Sequence, residues 1–407
     1  MGNNVIVGQS GGPTAVINAS LAGVFQTAKR CGAGKVYGMR YGVQGLLERK
    51  VVALDEHFTD TMHIELLKRT PSSFLGSCRY KLPEAGENPA VYEKLFEILK
   101  ELDVGYFFYI GGNDSMDTID KLSAYGSAVG SEIRFMGVPK TIDNDLEGTD
   151  HTPGYGSAAK YIATLMKEIT RDSLVYDMQS VTVVEIMGRN AGWLAAASAL
   201  TQAEDCEGTD LIYLPETPFD PAAFLRDVSE LQKRKGNVVV AVSEGVRTAD
   251  GHYVCELEEE LGPRDAFGHK ILTGTGRYLA GKVIRELGTK ARAIELSTLQ
   301  RCSSHVAGRV DVTEAFGVGG AAVRAAWEGH TGEMVGLVRV SDEPYQCITA
   351  TRDIREIANR EKRVPLAWIN EAHNGVTQEL VDYMRPLIQA ELTPMYVNGL
   401  PRHIYLQ

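Results

Sequence analysis

Three short loops carry the groups that proteins use to hold phosphate and magnesium: glycines with hydroxyls or a carboxylate in the first two, and a hydroxyl with two carboxylates in the third. They are residues 8–14 (GQSGGPT), 111–115 (GGNDS) and 141–145 (TIDND). Glycines between a strand and a helix allow backbone N–H groups to approach an anion, and the helix dipole favours negative charge there. In the third loop, one carboxylate could accept a substrate proton while the other holds Mg²⁺. Together the three loops favour phosphoryl transfer.

Each loop also has an alternative interpretation. The first loop satisfies G-x-S-x-G, the nucleophile elbow of serine hydrolases, with Ser10 as the nucleophile. In that fold the elbow normally follows several strands, whereas here it follows the first predicted strand. In the second loop, Asp114 or Ser115 could simply cap the next helix. The third loop could be a cluster of Asx turns.

An alternation of strands and helices positions the loops. The predicted strands cover residues 4–7, 35–39, 104–110, 133–138, 180–186, 211–214, 238–242 and 291–296, and the predicted helices cover 16–29, 90–102, 116–124, 157–171, 191–202, 222–233 and 276–286. This alternation indicates parallel sheets with right-handed crossovers. Ligands of such sheets collect at the carboxyl ends of the strands, which is where the three loops lie.

Composition and charge argue against several classes of function. The 407-residue chain carries a net charge of −11, which is unfavourable for a general binder of nucleic acid or anionic membranes. We therefore expect neither nucleic acid nor a membrane among its partners. The six cysteines form no CxxC pair, and the sequence shows neither a transmembrane run nor a secretory signal pattern. These features predict a cytoplasmic protein without disulfides or zinc.

Two further stretches have structural interpretations. The run 317–322 (GVGGAA) fits a loose dinucleotide-binding pattern, but it follows a helical stretch and not a strand. We therefore interpret it as small residues at a helix packing face. The acidic run 256–260 is expected to be a solvated face.

Seven strings, in order along the chain, resemble those of phosphofructokinases. They are GQSGGPTAVINASLAG (8–23), FLGSCR (74–79), IGGNDS (110–115), PKTIDNDLEGTDHTPGYGSA (139–158), VVEIMGRNAGWLA (183–195), SEG (243–245) and LQR (299–301). The tail NGLPRH (398–403) resembles one bacterial branch of that family. The resemblance implies transfer of a phosphoryl group to the 1-hydroxyl of fructose 6-phosphate, with Mg²⁺ as the cofactor.

The resemblance also implies a fold. The family has an α/β fold of two Rossmann-like, three-layer α/β/α domains with mostly parallel sheets and an active site in the cleft between them. The larger, donor-binding domain would comprise residues 1–154 plus about 300–350, and the fructose 6-phosphate domain would comprise residues 155–299 plus about 351–407. The Gly-, Asp- and Thr-rich loop 145–156 marks the boundary. We expect a homo-oligomer, with a homodimer favoured.

The motifs imply roles for individual residues. Asp143 matches the proton acceptor, with Thr141 beside it, and Arg189 should neutralise charge on the group in transit. The other substrate residues that the resemblance implies are Met187, Gly188, Glu244, Arg292, Thr298 and Arg301. The implied donor-binding residues are Gly11, Arg79, Gly112, Asp114 and Lys140, and the metal candidates are Asn113, Asp114 and Asp145.

Two positions bear on the identity of the phosphoryl donor. In ATP-using members, the loop after the double glycine resembles GGDGS and a glycine precedes TIDND, whereas Asp114 and Lys140 occupy those glycine positions here. An aspartate there would lie where the α-phosphate of ATP belongs. Two unit charges about 4 Å apart repel by about 4 kcal/mol at an effective dielectric near 20. Lys140 supplies a cation suited to a leaving phosphate, so the pair resembles the pyrophosphate-dependent branch.

Three residues depart from the family pattern. Asn113 stands where the family mostly has a metal-binding aspartate, and Thr298 stands where a histidine or tyrosine usually meets the sugar phosphate. Ser180 replaces an arginine that reaches the 6-phosphate across a subunit boundary in the simpler bacterial enzymes. The alternatives to a pyrophosphate-dependent enzyme are an ATP-dependent kinase of the same fold, a serine hydrolase acting through Ser10, and a catalytically silent phosphosugar-binding subunit.

Overall fold

The computed structural model describes residues 2–257 and 274–406, so most of the acidic run 256–260 lies outside the described residues. The strands are, in chain order, β1 (Asn4–Gln9), β2 (Val36–Met39), β3 (Val51–Ala53), β4 (Val104–Gly111), β5 (Arg134–Pro139), β6 (Ser180–Ile186), β7 (Leu211–Tyr213), β8 (Asn237–Ser243), β9 (Lys290–Glu295), β10 (Glu333–Asp342), β11 (Tyr345–Asp353), β12 (Tyr396–Val397) and β13 (Leu400–Pro401).

Helices alternate with these strands along the chain. They are α1 (Ile17–Arg30), α2 (Gly42–Leu47), α3 (Leu54–His57), α4 (Thr61–Arg69), α5 (Pro89–Glu101), α6 (Asn113–Ala128), α7 (Tyr155–Ser173), α8 (Trp193–Ala196), α9 (Pro221–Gln232), α10 (Thr275–Leu287), α11 (Leu299–Cys302), α12 (Arg309–Trp327) and α13 (Gln378–Met384). No helix among the described residues combines the length and the apolar character that crossing a membrane requires.

Within the described residues, the strands form two larger sheets and the short β12–β13 hairpin. The first sheet has the order β11-β10-β5-β4-β1-β2-β3, in which only the edge strands β11 and β3 are antiparallel to their neighbours. The second sheet has the order β7-β8-β6-β9 and is parallel throughout. The predicted α/β class with mostly parallel sheets is therefore confirmed.

Helices cover both faces of the first sheet. Successive residues of β1 point to opposite faces, so Val7 packs with Leu21 of α1 and Val323 of α12 in one core. Ile6 packs in the other core with Leu95 of α5. A strand buried on both faces must be apolar along its whole length, which is the pattern that identified the central strands in the sequence.

Helices α1 and α12 cross with their backbones in contact. A Cβ atom added to Gly23 of α1 would lie 2.1 Å from the carbonyl oxygen of Phe316, and one added to Gly319 of α12 would lie 2.2 Å from that of Ser20. The run 317–322 is therefore part of a helix packing face, as predicted.

The predicted helix 191–202 is wrong in part, because the chain forms the short α8 and then a 3-10 helix, Ala197–Thr201. Here the Ser198 hydroxyl donates to the carbonyl of Ala195 at 2.7 Å, and the Thr201 hydroxyl donates to the carbonyl of Ser198 at 2.6 Å. Hydroxyl bonds to the carbonyl three residues back favour the tighter turn.

The C-terminal residues pack against both sheets. Ile354 lies in a core of the first sheet, and Leu380 of α13 lies in a core of the second. Ile404 then packs back against the first sheet. The sequence placed all of residues 351–407 in the second domain, and the division of the chain into domains stays a prediction.

Replacing Gly319 by alanine is expected to destabilise the protein by about 1–3 kcal/mol, because the new methyl group overlaps the backbone of α1. Gly317→Ala is the matched control, since a Cβ atom at this position of the same helix meets nothing within 4 Å. Alanine there should stabilise the helix by up to about 1 kcal/mol. Urea unfolding of both variants checks the prediction, and equal stabilities would contradict it.

Candidate active site

The loops singled out in the sequence meet at one edge of the first sheet. The parallel neighbours β1, β4 and β5 are followed directly by Ser10, Gly112 and Lys140. In the second sheet, β6 is followed by Met187 and β8 by Glu244. Since the carboxyl ends of parallel strands lie at the same edge of a sheet, each sheet presents its loops on one side.

A cavity of about 750 Å³ lies between the loops of the two sheets. It brings together most of the site residues that the sequence predicted. Those that line it are Gly11, Arg79, Gly112, Asn113, Asp114, Lys140, Thr141, Asp143, Asp145, Met187, Arg189, Glu244 and Arg301. The carboxyl ends of both sheets therefore contribute to a single site.

Three predicted residues are not among those that line the cavity. Gly188 lies at its edge, where its N–H donates to Oε1 of Glu244 at 3.4 Å. Arg292 is exposed, with a guanidinium nitrogen 4.0 Å from Oδ2 of Asp172. Thr298 is exposed at the start of α11. The roles of these residues stay predictions.

Lys140 places a buried cation in the cavity. The residue is 2% exposed, and its Nζ donates a hydrogen bond to the carbonyl oxygen of Gly12 at 2.6 Å. Burial lowers the pKa of Lys140 to about 8, although the negative charges of Asp143 and Asp145 act in the opposite direction. An anion that enters the cavity would stabilise the ammonium form of this lysine.

The carboxyls of Asp143 and Asp145 lie in the same cavity. The Asp143 N–H donates to Oγ1 of Thr141 at 3.1 Å, which shapes the loop. Burial raises the pKa of Asp143, against the opposing effect of Lys140. Burial also raises the pKa of Asp145 to about 7, and the charge of Asp143 adds to this rise. Carboxyls with raised pKa values are the groups that exchange protons efficiently near neutral pH.

Asn144 fixes the loop between these two carboxyls. Its φ angle of +53° lies in the left-handed region, which asparagine tolerates better than most residues. Its Oδ1 accepts a hydrogen bond from the Thr152 N–H at 2.9 Å, and its Nδ2 donates to the Tyr383 hydroxyl at 3.0 Å. The backbone that carries Asp143 and Asp145 is therefore held on both sides.

Two oxygens of the cavity suit a hard metal ion. Oδ1 of Asn113 and Oδ1 of Asp145 are buried and make no hydrogen bond. No group of three or more His, Cys, Asp or Glu side chains in the described part of the chain is arranged to hold a metal. Mg²⁺ commonly takes only one or two protein oxygens and completes its octahedron with water and substrate phosphates. The residues therefore fit Mg²⁺ bound together with a phosphate ligand.

Asp114 is not the N-cap of the helix that follows it. The N-cap of α6 is Gly112, which provides no side chain to cap the first turn, and Asp114 lies within that turn. The alternative in which Asp114 or Ser115 caps the helix is therefore wrong. Because α6 begins at the cavity that Gly112 and Asp114 line and has no side-chain cap, its N-terminus favours an anion there.

The geometry gives no support to a serine hydrolase. Ser10 is buried, its hydroxyl hydrogen-bonds to Tyr109, and it does not line the cavity. Among the described histidines, His151 is engaged by Asp150 and Glu314 at 2.8 and 2.7 Å. A nucleophilic serine needs a base within hydrogen-bond reach, and no histidine in the described residues takes that place.

Comparison with known proteins decides the family. Residues 4–326 match the profile of the family described as "Phosphofructokinase". The chain belongs to this family. A protein of Methylococcus capsulatus named pyrophosphate–fructose 6-phosphate 1-phosphotransferase is 42% identical over 407 residues, which cover 99% of this chain and 96% of the relative.

Other phosphofructokinases extend the comparison. The crystal structure of the pyrophosphate-dependent phosphofructokinase of Nitrosospira multiformis superposes with a TM-score of 0.88 at 38% identity and covers 99% of this chain and 96% of its own. The ATP-dependent 6-phosphofructokinase 2 of Streptomyces coelicolor is 33% identical over 332 residues, 81% of this chain and 89% of its own. The resemblance to the family that the sequence motifs indicated is confirmed.

Motifs did not identify every cavity residue of this phosphofructokinase. Among those missed are Asn190, which directly follows residues 187–189 (the MGR motif), and Asn359, Glu361 and Arg363. The last three lie beyond residues 4–326, the segment that matches the family profile. The sequence around these three residues is typical of an ordinary charged surface, so it carries no local signal that places them at the site.

Glu244 provides a pH test of this buried site. Burial, with help from the charge of Asp143, raises its pKa to about 8. A folded-state pKa above the unfolded value means that stability is lost as pH rises toward 8. Glu244→Gln should thus gain stability relative to wild type between pH 5 and pH 9, by about 1 kcal/mol or more.

Thermal unfolding in the absence of ligands and Mg²⁺ measures this effect. Glu93→Gln, at an exposed position of α5, is the control and should track wild type at every pH. A stability difference between Glu244→Gln and wild type that stays constant with pH would show that the carboxyl is not held neutral by burial.

Proposed function

We propose that this chain catalyses the Mg²⁺-dependent, reversible transfer of a phosphoryl group from pyrophosphate to the 1-hydroxyl of fructose 6-phosphate, which yields fructose 1,6-bisphosphate and phosphate. Four relatives that match almost its full length, each named pyrophosphate–fructose 6-phosphate 1-phosphotransferase, support this proposal. Pyrophosphate and the sugar bisphosphate have similar phosphoryl-transfer potentials, so we expect the reaction to run readily in both directions.

The observation that carries the donor assignment is the pair Asp114 and Lys140, which line the same cavity. Lys140 presents a desolvated ammonium group that, among the described residues, donates a hydrogen bond to the Gly12 carbonyl. A leaving phosphate is a better partner for it than a neutral carbonyl. The carboxylate of Asp114 would repel the additional phosphate of a nucleotide donor. The two side chains therefore favour a short donor with two phosphates.

The acceptor side of the reaction uses the residues around Asp143. The 1-hydroxyl of the sugar attacks the phosphorus of the transferred group, and Asp143 accepts the hydroxyl proton. The bond from that phosphorus to the bridging oxygen breaks, and the electron pair leaves with phosphate, whose charge Lys140 neutralises. Arg189 stabilises the charge on the group in transit. Glu244 accepts a hydrogen bond from a hydroxyl of the sugar, and Arg301 binds the 6-phosphate, which an arginine fork suits.

Mg²⁺ belongs to the same proposal. Asn113 and Asp145, with Asp114 nearby, would hold it, and when bound it supplies charge neutralisation to the phosphates of the donor. The chain's own contribution is to present these oxygens without competing hydrogen bonds.

The quaternary state and location are parts of the proposal as well. Arg292 and Thr298 are exposed in a single chain, whereas the resemblance implies that both meet the sugar phosphate. In a homo-oligomer, with a homodimer favoured, these two residues would contact a neighbouring chain. A cytoplasmic location and the absence of nucleic-acid partners follow from the sequence and stay predictions.

A comparison of donors tests the function. Purified protein with fructose 6-phosphate and Mg²⁺ should form the bisphosphate with pyrophosphate and not with ATP. The double variant Asp114→Gly/Lys140→Gly should lose pyrophosphate activity by a factor of about 100 or more and gain ATP use, since removal of the repulsion is worth about 4 kcal/mol at most. A wild-type protein that uses ATP, with a donor preference that the double substitution leaves unchanged, would favour an ATP-dependent kinase of the same fold.

Asp120→Ala is the control for this experiment, because Asp120 lies further along α6 and does not line the cavity. It should keep the wild-type donor preference and rate. No turnover by the wild-type protein with either donor would instead favour a catalytically silent phosphosugar-binding subunit.

Asp145→Asn is expected to raise the Mg²⁺ concentration for half-maximal activity by about tenfold or more, because the neutral amide binds a hard cation more weakly. Removal of Mg²⁺ by EDTA should abolish turnover of the wild-type protein, and added Mg²⁺ should restore it. A titration of the rate against Mg²⁺ checks both statements. The same half-saturation in Asp145→Asn and wild type would exclude Asp145 as a ligand.

A further inference from the structure

Residues 359–364 form a strap that crosses the cavity from the first sheet to the second. The strap follows the last strand of the first sheet and lies outside residues 4–326, the segment that matches the family profile. Asn359, Glu361 and Arg363 of the strap line the cavity. Alternate residues of the strap therefore face the site of the reaction.

On the side of the first sheet, the strap is joined to the loops that carry the donor and metal residues. Nδ2 of Asn359 donates to Oδ1 of Asp117 on α6 at 3.0 Å. The backbone N–H of Lys362 donates to the carbonyl oxygen of Asp145 at 2.8 Å, and Glu361 forms a β-bridge with Leu146. The backbone of the strap is thus fixed to the Asp143–Asp145 loop.

On the side of the second sheet, the strap is joined to the residues that follow the MGR motif. Nε1 of Trp193 donates to the carbonyl oxygen of Lys362 at 3.0 Å. One oxygen of Glu216 accepts hydrogen bonds from the N–H groups of Val364 at 3.0 Å and of Gly192 at 2.8 Å. The position of the strap relative to the second sheet is therefore also fixed.

A side-chain contact connects these two sides inside the cavity. Nδ2 of Asn190 donates to Oε1 of Glu361 at 2.7 Å. Oδ1 of Asn190 accepts from a guanidinium nitrogen of Arg247 at 3.3 Å. Asn190 is the residue directly after Arg189, so these two hydrogen bonds fix the turn that presents the Arg189 guanidinium.

We propose that Glu361 is a positioning residue for phosphoryl transfer, which holds Asn190 and thereby the Arg189 turn in register with the Asp143–Asp145 loop. The inference rests on the proposed function of the site. Phosphoryl transfer depends chiefly on how well the reacting groups and the stabilising charges are placed, and a small displacement of one of them reduces the rate far more than the affinity. A contact that bridges the two sides of the cavity controls this placement.

Three variants test the proposal in the full-length protein with fructose 6-phosphate, pyrophosphate and Mg²⁺. Glu361→Ala should lower kcat by about tenfold or more, with the KM of both substrates changed by less than about threefold. Glu361→Gln should recover most of the rate, because its carbonyl oxygen accepts the same hydrogen bond. Asn190→Ala should lose as much as Glu361→Ala, and the double variant should lose no more than either single variant.

Arg360→Ala is the matched control, since Arg360 precedes Glu361 directly, is exposed and does not line the cavity. It should leave kcat, KM and the unfolding temperature as in wild type. The proposal is overturned by a wild-type kcat in Glu361→Ala, by a Glu361→Gln rate no better than that of Glu361→Ala, by additive losses in the double variant, or by rate losses that merely follow a lower unfolding temperature.

Failure of the positioning role and failure of the proposed function are distinguishable. A wild-type protein that is inactive with pyrophosphate refutes the function, and the variants are then measured with the donor it does use. An active wild-type protein with an equally active Glu361→Ala refutes the positioning role alone. If Glu361→Ala does not fold, a rate loss in Asn190→Ala with retained activity in Glu361→Gln supports the role, and any other combination overturns it.

Discussion

Charges that are buried together without full pairing are the constraint on which the site depends. Lys140, Asp145 and Glu244 all lie in one cavity, and burial moves the pKa of each toward neutrality, to about 8, 7 and 8 respectively. Burial of charged groups costs free energy unless partners compensate them. Anionic substrates and a divalent cation are the partners that such a cavity lacks. When the substrates and the cation bind, they compensate these buried charges, and the unfavourable free energy of the unliganded site adds to the free energy of binding.

This arrangement explains how an acidic protein handles phosphates. The chain as a whole carries a net charge of −11, yet the cavity lining in the described residues contains five basic and five acidic side chains. Local neutrality is reached because loops from two separate sheets, and the strap 359–364, each contribute both signs of charge. The site therefore depends on the relation between the sheets, and contacts such as that of Glu361 with Asn190 act directly on it.

Much of the fold could be predicted because its signal is local. Strands such as β4 and β6 are buried on both faces and are therefore continuously apolar, which identifies them without tertiary information. The predicted helix 191–202 was wrong in part because the hydroxyls of Ser198 and Thr201 tighten the backbone, and propensity alone does not reveal such bonds. The hairpin of β10 and β11 was not predicted, since no residue of its second strand is fully buried and the strand shows no regular apolar alternation.

The site residues likewise divide into those that the local sequence predicts and those that it does not. Lys140, Asp143 and Asp145 lie in the loop that begins at the end of β5, so the rule for parallel sheets places them at the site from the sequence alone. Glu361 lies 171 residues from Asn190, and only the folded chain brings the two together. Arg292 does not line the cavity, and its role stays a prediction.

The most direct test of the account is a crystal structure of the protein with Mg²⁺, fructose 6-phosphate and a pyrophosphate analogue that cannot be hydrolysed. A phosphate oxygen of the analogue should lie within about 3 Å of the Lys140 ammonium. The 1-hydroxyl of the sugar should lie beside the carboxylate of Asp143. An analogue bound elsewhere, with Lys140 still directed at the Gly12 carbonyl, would contradict the roles assigned to these two residues.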